Sequence, residues 1–191
     1  PINGALGIGH TRWATHGPPS DENSHPHWDQ SERISVVHNG VIENYAILRD
    51  RLASAGHIFK STTDSEILAH LIGSHYEKLT KDIADSTERF QRAVESALRE
   101  VIGAYGVAAI CGDCPNLIIG ARRGSPLILG VGVHEHFLAS DAGAIVAHTR
   151  EVVYLNDYDV AAIFPDRFNV TNLGSDTANV QMSQIEFNEE A

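Results

Sequence analysis

Cysteine is nearly absent: the 191 residues contain only Cys111 and Cys114. So few thiols exclude a disulfide framework and fit a reducing compartment, the cytoplasm. Long apolar runs are missing too. None approaches the roughly 20 residues that a membrane-crossing helix requires, and the opening PINGALGIGH has no basic, then apolar, leader pattern. Positive charge is scarce, with 14 Lys and Arg against 25 Asp and Glu and a net charge of −11. A nucleic-acid partner would want a basic face, and so would an anionic membrane, so neither is expected. The chain also lacks an initial Met and opens on a strand-like segment, from which we expect it to begin inside a larger protein.

What is present points to a folded enzyme-like domain. Hydrophobic residues make up 42% of the chain and charged residues 20%, a balance that builds a core and not a disordered coil. The length suits one large domain or two very small ones. The Cys111–Cys114 spacing is CxxC, which suits a zinc or a redox site, yet no second pair of ligands completes a zinc site, and CGDCPN sits between two apolar runs as a hairpin turn does, whereas a thioredoxin-type redox motif opens a helix.

The pattern predicts a strand over 5–13, then an irregular, polar, Pro- and His-rich loop over 14–33 of a length that is usually functional or disordered. A short strand over 34–38 runs into Asn39-Gly40, a turn signal. A helix over 44–55 would turn Ile47, Leu48 and Leu52 inward and stop at Gly56. Thr63 to Glu66 matches a capping box that opens a second helix, with Ile67, Leu68, Leu71 and Ile72 inward. A third helix is predicted over about 87–101. Short strands follow at 105–111, 117–122, 127–130, 136–140, 152–155 and 159–164, with a brief helix at 141–148. Helices grouped together and strands joined by tight turns indicate an α+β architecture of antiparallel sheets covered by helices.

Several residues could carry chemistry, although each has an ordinary explanation when taken alone. Arg12 at a strand end is placed to hold a carboxylate bidentately, or merely forms a surface ion pair. The side-chain amide of Asn39 and the N–H of Gly40 could together face one oxygen, as an oxyanion hole requires. Asp64, in the first turn of a helix, complements its dipole or binds an ammonium group. Five of the 11 histidines, His10, His16, His25, His27 and His38, cluster early, but none forms an HExxH pair.

Their order decides between these readings. GHTRWATHG, then HPH, then VVHNGVIEN, then TTDSE before an apolar helix closely resembles the glutaminase domain of the glucosamine-6-phosphate synthases, within the N-terminal-nucleophile amidotransferases. The resemblance runs from about residue 4 to 163 and includes YGVAAI, ARRGSPLILG and FLASDAGAI. It implies a four-layer αββα sandwich and a glutaminase that supplies ammonia for making glucosamine 6-phosphate from fructose 6-phosphate and L-glutamine, without cofactor or metal. It implies that Arg12 clamps the glutamine carboxylate, Asp64 binds the ammonium, and Asn39 with Gly40 forms the oxyanion hole. Thr15 and His16 would line a mobile loop, Trp13 would gate the ammonia, and His25 would lie near that loop and the partner domain.

One departure matters. The family's nucleophile is a Cys at the mature N-terminus, dozens of residues before the Arg motif, whereas here Arg12 follows Pro1 closely. The chain is therefore expected to be a glutaminase domain incomplete at its N-terminus, inactive alone and prone to associate as a homo-oligomer through open sheet edges. Residues from about 175 to 191 are expected to begin a linker to absent sugar-isomerase domains. The alternatives are a glutamine-sensing module of the same fold and a metal-dependent hydrolase using the early histidines.

Overall fold

The computed structural model describes residues 4–11, 17–175 and 177–185. Strands β1 (His27–Trp28) and β2 (Ile34–Ile42) lead into helices α1 (Tyr45–Ser54), α2 (Asp64–Lys78) and α3 (Ser86–Glu100). The chain then builds β3 (Gly103–Cys111), β4 (Ile118–Arg123), β5 (Ile128–Val131), β6 (His136–Ala139), β7 (Glu151–Tyr154), β8 (Asp159–Ile163), β9 (Phe168–Asn172) and β10 (Met182–Gln184). The strands form a six-stranded sheet in the order β1-β2-β3-β4-β8-β9 and a four-stranded sheet in the order β10-β7-β5-β6. Every ladder in both sheets is antiparallel.

Period-two alternation sorts the larger sheet into two faces. Ile34, Val36, Tyr105, Val107, Ala109, Ile119, Ala121 and Val160 pack against the helices, together with Leu68, Leu71, Phe90, Val94 and Leu98. From the opposite face Ala161 and Ile163 meet Leu127, Leu129, Val153 and Leu155 of the second sheet. Ile128 and Val152 on the far side of that sheet are covered by Ile145 and Ile185. The result is the expected layered α+β sandwich. Among the described residues, its outermost layer holds only a short 3-10 turn, Ala142–Ala144, where a brief helix over 141–148 was expected.

Five sequence expectations are corrected by the fold. Residues 5–11 pair in no ladder, so the strand expected to start there is not formed among the described residues. Asn39-Gly40 is not a turn: β2 runs straight through it to Ile42, in register with β3. Ile47 is 72% exposed, so α1 buries Leu48 and Leu52 only. Asn44 caps α1 by position without a side-chain cap bond; its amide instead joins Glu100 O and Ile102 N, tying the start of α1 to the end of α3. The capping box on α2 forms by half. Thr63 Oγ1 accepts from Glu66 N, but the Glu66 carboxylate takes the N–H groups of Lys60 and Ser61 rather than that of Thr63.

Candidate active site

A cleft of about 620 Å³ opens between the two sheets at the N-terminal end of α2. Val37, Gly106 and Ala108 come from the larger sheet and Leu127 and Leu138 from the smaller one. Small residues on the β3 face leave the space: a Cβ on Gly106 would meet Pro126 O at 3.2 Å. Into this cleft the fold brings His10, His25, His38, Asn39, Gly40, Asp64 and Ser65.

Asn39 and Gly40 sit side by side on β2. Gly40 has φ +130°, and a Cβ there would lie 2.2 Å from Ala104 O. Glycine is therefore required, because the β3 backbone occupies the place of a side chain. His10 Nε2 lies 2.5 Å from Asn39 Oδ1. An amide oxygen only accepts, so the imidazole must donate at this contact. The amide N–H₂ is then the end of Asn39 left to donate elsewhere. This orients a donor as an oxyanion hole needs.

Asp64 is the first residue of α2 and is 3% exposed. Its Oδ2 accepts from Ile42 N at 2.9 Å, which joins the end of β2 to the start of α2. Next to it Ser65 Oγ meets His38 Nδ1 at 3.0 Å. These two contacts hold the β2 wall and the helix start as one unit, so the carboxylate and the Asn39 amide keep a fixed separation.

Arg12, Trp13, Thr15 and His16 lie outside the described residues. The segment just after them is anchored against the site. Asn23 is buried; its Oδ1 accepts from Thr62 N at 3.0 Å and its Nδ2 donates to Pro18 O at 2.9 Å. Gly17, at φ +73°, fits against this clamp, where a Cβ would fall 2.3 Å from Thr62 Oγ1. The two cysteines are far from the cleft. Cys111 pairs with Ile34 at the opposite end of β2 from Asn39, and both thiols are buried. Among the described residues no group of three or more His, Cys, Asp or Glu is placed to hold a metal, and no helix is long and apolar enough to cross a membrane.

A model of the glutamine amidotransferase domain matches residues 10–147, which include the Arg motif, the β2 wall and the start of α2. The chain belongs to the glutamine amidotransferase domain family. It is 46% identical to a glutamine–fructose-6-phosphate aminotransferase (isomerizing) of Bacteroides thetaiotaomicron over 99% of this chain and 28% of that protein. Against the protein of the same name from Chlorobaculum tepidum the identity is 44%, over 97% of this chain and 29% of the relative. The chain thus spans under a third of the length of these relatives. A glutamine phosphoribosylpyrophosphate amidotransferase from B. subtilis, complexed with ADP and GMP, superposes with a TM-score of 0.67 over 89% of this chain and 35% of that one. At 24% identity this bears on the fold alone.

In this amidotransferase domain, the fold gathers Asn39, Gly40, Asp64 and His25, four of the residues expected at the site, at one cleft. The sequence does not reveal the positions of His10, Ser65 and Asn23. His10 belongs to the GHTRWATHG segment, but its contact with Asn39 spans 29 residues, which no local pattern encodes. Asn23 lies in the irregular loop over 14–33, where no motif singles it out. The one available signal was a polar Asn followed, far downstream, by a hydroxyl-rich STT segment.

Proposed function

We propose that this domain binds L-glutamine and directs hydrolysis of its side-chain amide, so that ammonia reaches fructose 6-phosphate on the sugar-isomerase part of a longer polypeptide. The observation that carries the reading is the convergence of Asn39, Gly40 and Asp64 on one cleft of an amidotransferase domain. In this reading Asp64 binds the α-ammonium and Arg12 the α-carboxylate, since a zwitterion needs an anion and a cation held a fixed distance apart. The tetrahedral oxyanion is met by the Asn39 amide, oriented by His10, and by the Gly40 N–H. Thr15 and His16 close over the ligand, Trp13 gates the released ammonia, and His25 sits beside that loop. Closure excludes water from the intermediate.

The reaction needs a nucleophile that forms a thioester with the substrate acyl group. Cys111 and Cys114 are buried away from the cleft, so the reading assigns that role to a cysteine outside these 191 residues. Residues from about 175 onward then begin the link to the ammonia-consuming part. Self-association through open sheet edges and a cytoplasmic location belong to the same proposal.

Calorimetry on this chain tests it. Binding heat is expected with L-glutamine at millimolar concentration, and none with Asp64→Asn. Asparagine keeps an oxygen for the Ile42 N–H but loses the charge, so the variant should melt near the wild type. Ammonia release is expected only from a longer polypeptide that carries an N-terminal Cys. No heat from the wild-type chain, or undiminished heat from Asp64→Asn, overturns the assignment.

A further inference from the structure

The Cys111–Cys114 pair lies apart from the cleft, and the amide chemistry does not use it. Cys111 ends β3, and Cys114 N donates to Cys111 O at 2.9 Å, closing a four-residue turn. Such a turn holds its first and last Cα within about 7 Å, and disulfides span about 4.4–6.8 Å between Cα atoms. Cys114 Sγ reaches Ser86 O at 3.2 Å, at the start of α3.

The surroundings make the two sulfurs unequal. A separate surface cleft of about 440 Å³ is lined by Cys114, Thr87, Asp113, Pro115, Phe164 and Arg167, and Cys111 is not among its walls. The neighbouring Cys111 holds the Cys114 thiol below the ordinary range, against the burial that opposes ionisation. The neighbouring Cys114, then burial, pushes Cys111 up. The turn is braced by charge. Asp113 Oδ2 accepts from Tyr76 OH at 2.9 Å and lies 3.5 Å from Arg33 Nε, and Arg89 Nη2 donates to the same Tyr76 oxygen at 2.9 Å. Two buried thiols that served only as small apolar fillers would need no cleft leading to one of them.

We propose that Cys111 and Cys114 form a thiol–disulfide exchange site for small disulfides of the glutathione class, with Cys114 as the entry thiol and Cys111 as the resolving thiol. In the first step Cys114 sulfur attacks one sulfur of the small disulfide. Its S–S bond breaks, and the departing thiolate takes up the proton that Cys114 gives up. In the second step Cys111 sulfur attacks the Cys114 sulfur of the mixed disulfide and expels the second small thiol, which takes the Cys111 proton. Two electrons pass from the cysteine pair to the small disulfide, leaving one protein disulfide and two small thiols. Because the new bond closes only a four-residue loop, it adds little constraint to the unfolded chain and works as a reversible mark rather than a staple. Oxidation also removes the Sγ–H donor from Ser86 O at the start of α3.

The test uses this chain with oxidised glutathione and intact-mass detection. The wild type should lose two hydrogens without keeping an adduct. Cys111→Ser should trap one glutathione on Cys114. Cys114→Ser should react at least about tenfold more slowly, because the buried Cys111 thiol is both shielded and poorly ionised. In denaturant the two single variants should react at equal rates, which separates a positional effect from a misfolded variant. Equal rates in the folded proteins, or a stable adduct on the wild type with no internal disulfide, overturns the proposal. The outcome is independent of glutamine binding, so it stands or falls apart from the function proposed above.

Discussion

In the proposed reaction Asn39 would act through the direction of its amide, and that direction rests on His10 Nε2. Without the imidazole the amide can turn its oxygen toward the developing oxyanion, which replaces a donor with a repelling acceptor. In the longer, active polypeptide Asn39→Ala should lower kcat by about 10²–10³, the usual cost of one oxyanion donor. His10→Ala should lower kcat by about tenfold with little change in KM, because the loss falls on the transition state and not on ground-state binding. Steady-state glutaminase kinetics on both variants decide this; a rise in KM with kcat intact would make His10 a substrate-binding residue instead. Asn39 and Asp64 were legible in the sequence because each sits beside a local signal, a glycine and a helix start. The bond proposed to orient Asn39 was not, since it exists only once residues 5–11, which pair in no ladder, bring His10 to β2.

At the level of elements, β2 and β3 interlock through two glycines. Gly40 faces Ala104 O, and Gly103, at φ +127°, would place a Cβ 2.1 Å from Val41 O. Each strand fills the place of the other's missing side chain, so the pair packs closer than side chains would allow. Gly40→Ala should cost about 1–3 kcal/mol from the backbone conformation alone, with the clash adding to it. Chemical denaturation should register this, and an unchanged midpoint would show that the strands part freely. This interlock also explains why the sequence misled at Asn39-Gly40. An apolar run followed by HNG reads as a strand and a turn, and only the matching Gly103 of GAYGVAAIC, far along the chain, lets the strand continue. The remaining helices and most strands were legible to within a residue or two, because apolar periodicity and Gly or Pro turns are local. A second element-level prediction concerns the clamp beside the site. Asn23→Ala removes the acceptor for Thr62 N and the donor to Pro18 O, so glutamine should bind more weakly while the melting temperature falls only modestly. Calorimetry beside a thermal melt separates the two effects, and unaltered affinity would show that the anchored segment does not shape the cleft.

For the molecule as a whole, the layered plan followed from the order of elements, but the sorting of strands did not. The chain leaves the larger sheet after β4, builds β5 to β7 in the smaller one, returns for β8 and β9, and leaves again for β10. Hydrophobic alternation alone does not say which sheet a strand joins, because strands of both sheets bury apolar side chains between the layers. Helix α2 packs against β2, α1 and α3, and burying it has a consequence for acid stability. His70 on α2 is 2% exposed, its Nδ1 lies 2.9 Å from His57 Nδ1, and Glu66 Oε1 is 3.9 Å from its Nε2. Burial foremost drives its pKa down from 6.5 to about 4, with His57 and Arg49 adding to the fall and Glu66 and Asp29 opposing it. Between those two values the unfolded chain takes up a proton that the folded protein refuses. Stability held above pH 6.5 should therefore be lost as the pH falls toward 4. His70→Gln keeps a polar side chain but has no imidazole to titrate, so its melting temperature should vary less across that window than that of the wild type. Thermal melts of both proteins at matched ionic strength provide the comparison. Parallel slopes would assign the acid sensitivity to the carboxylates of this net-negative chain and not to His70.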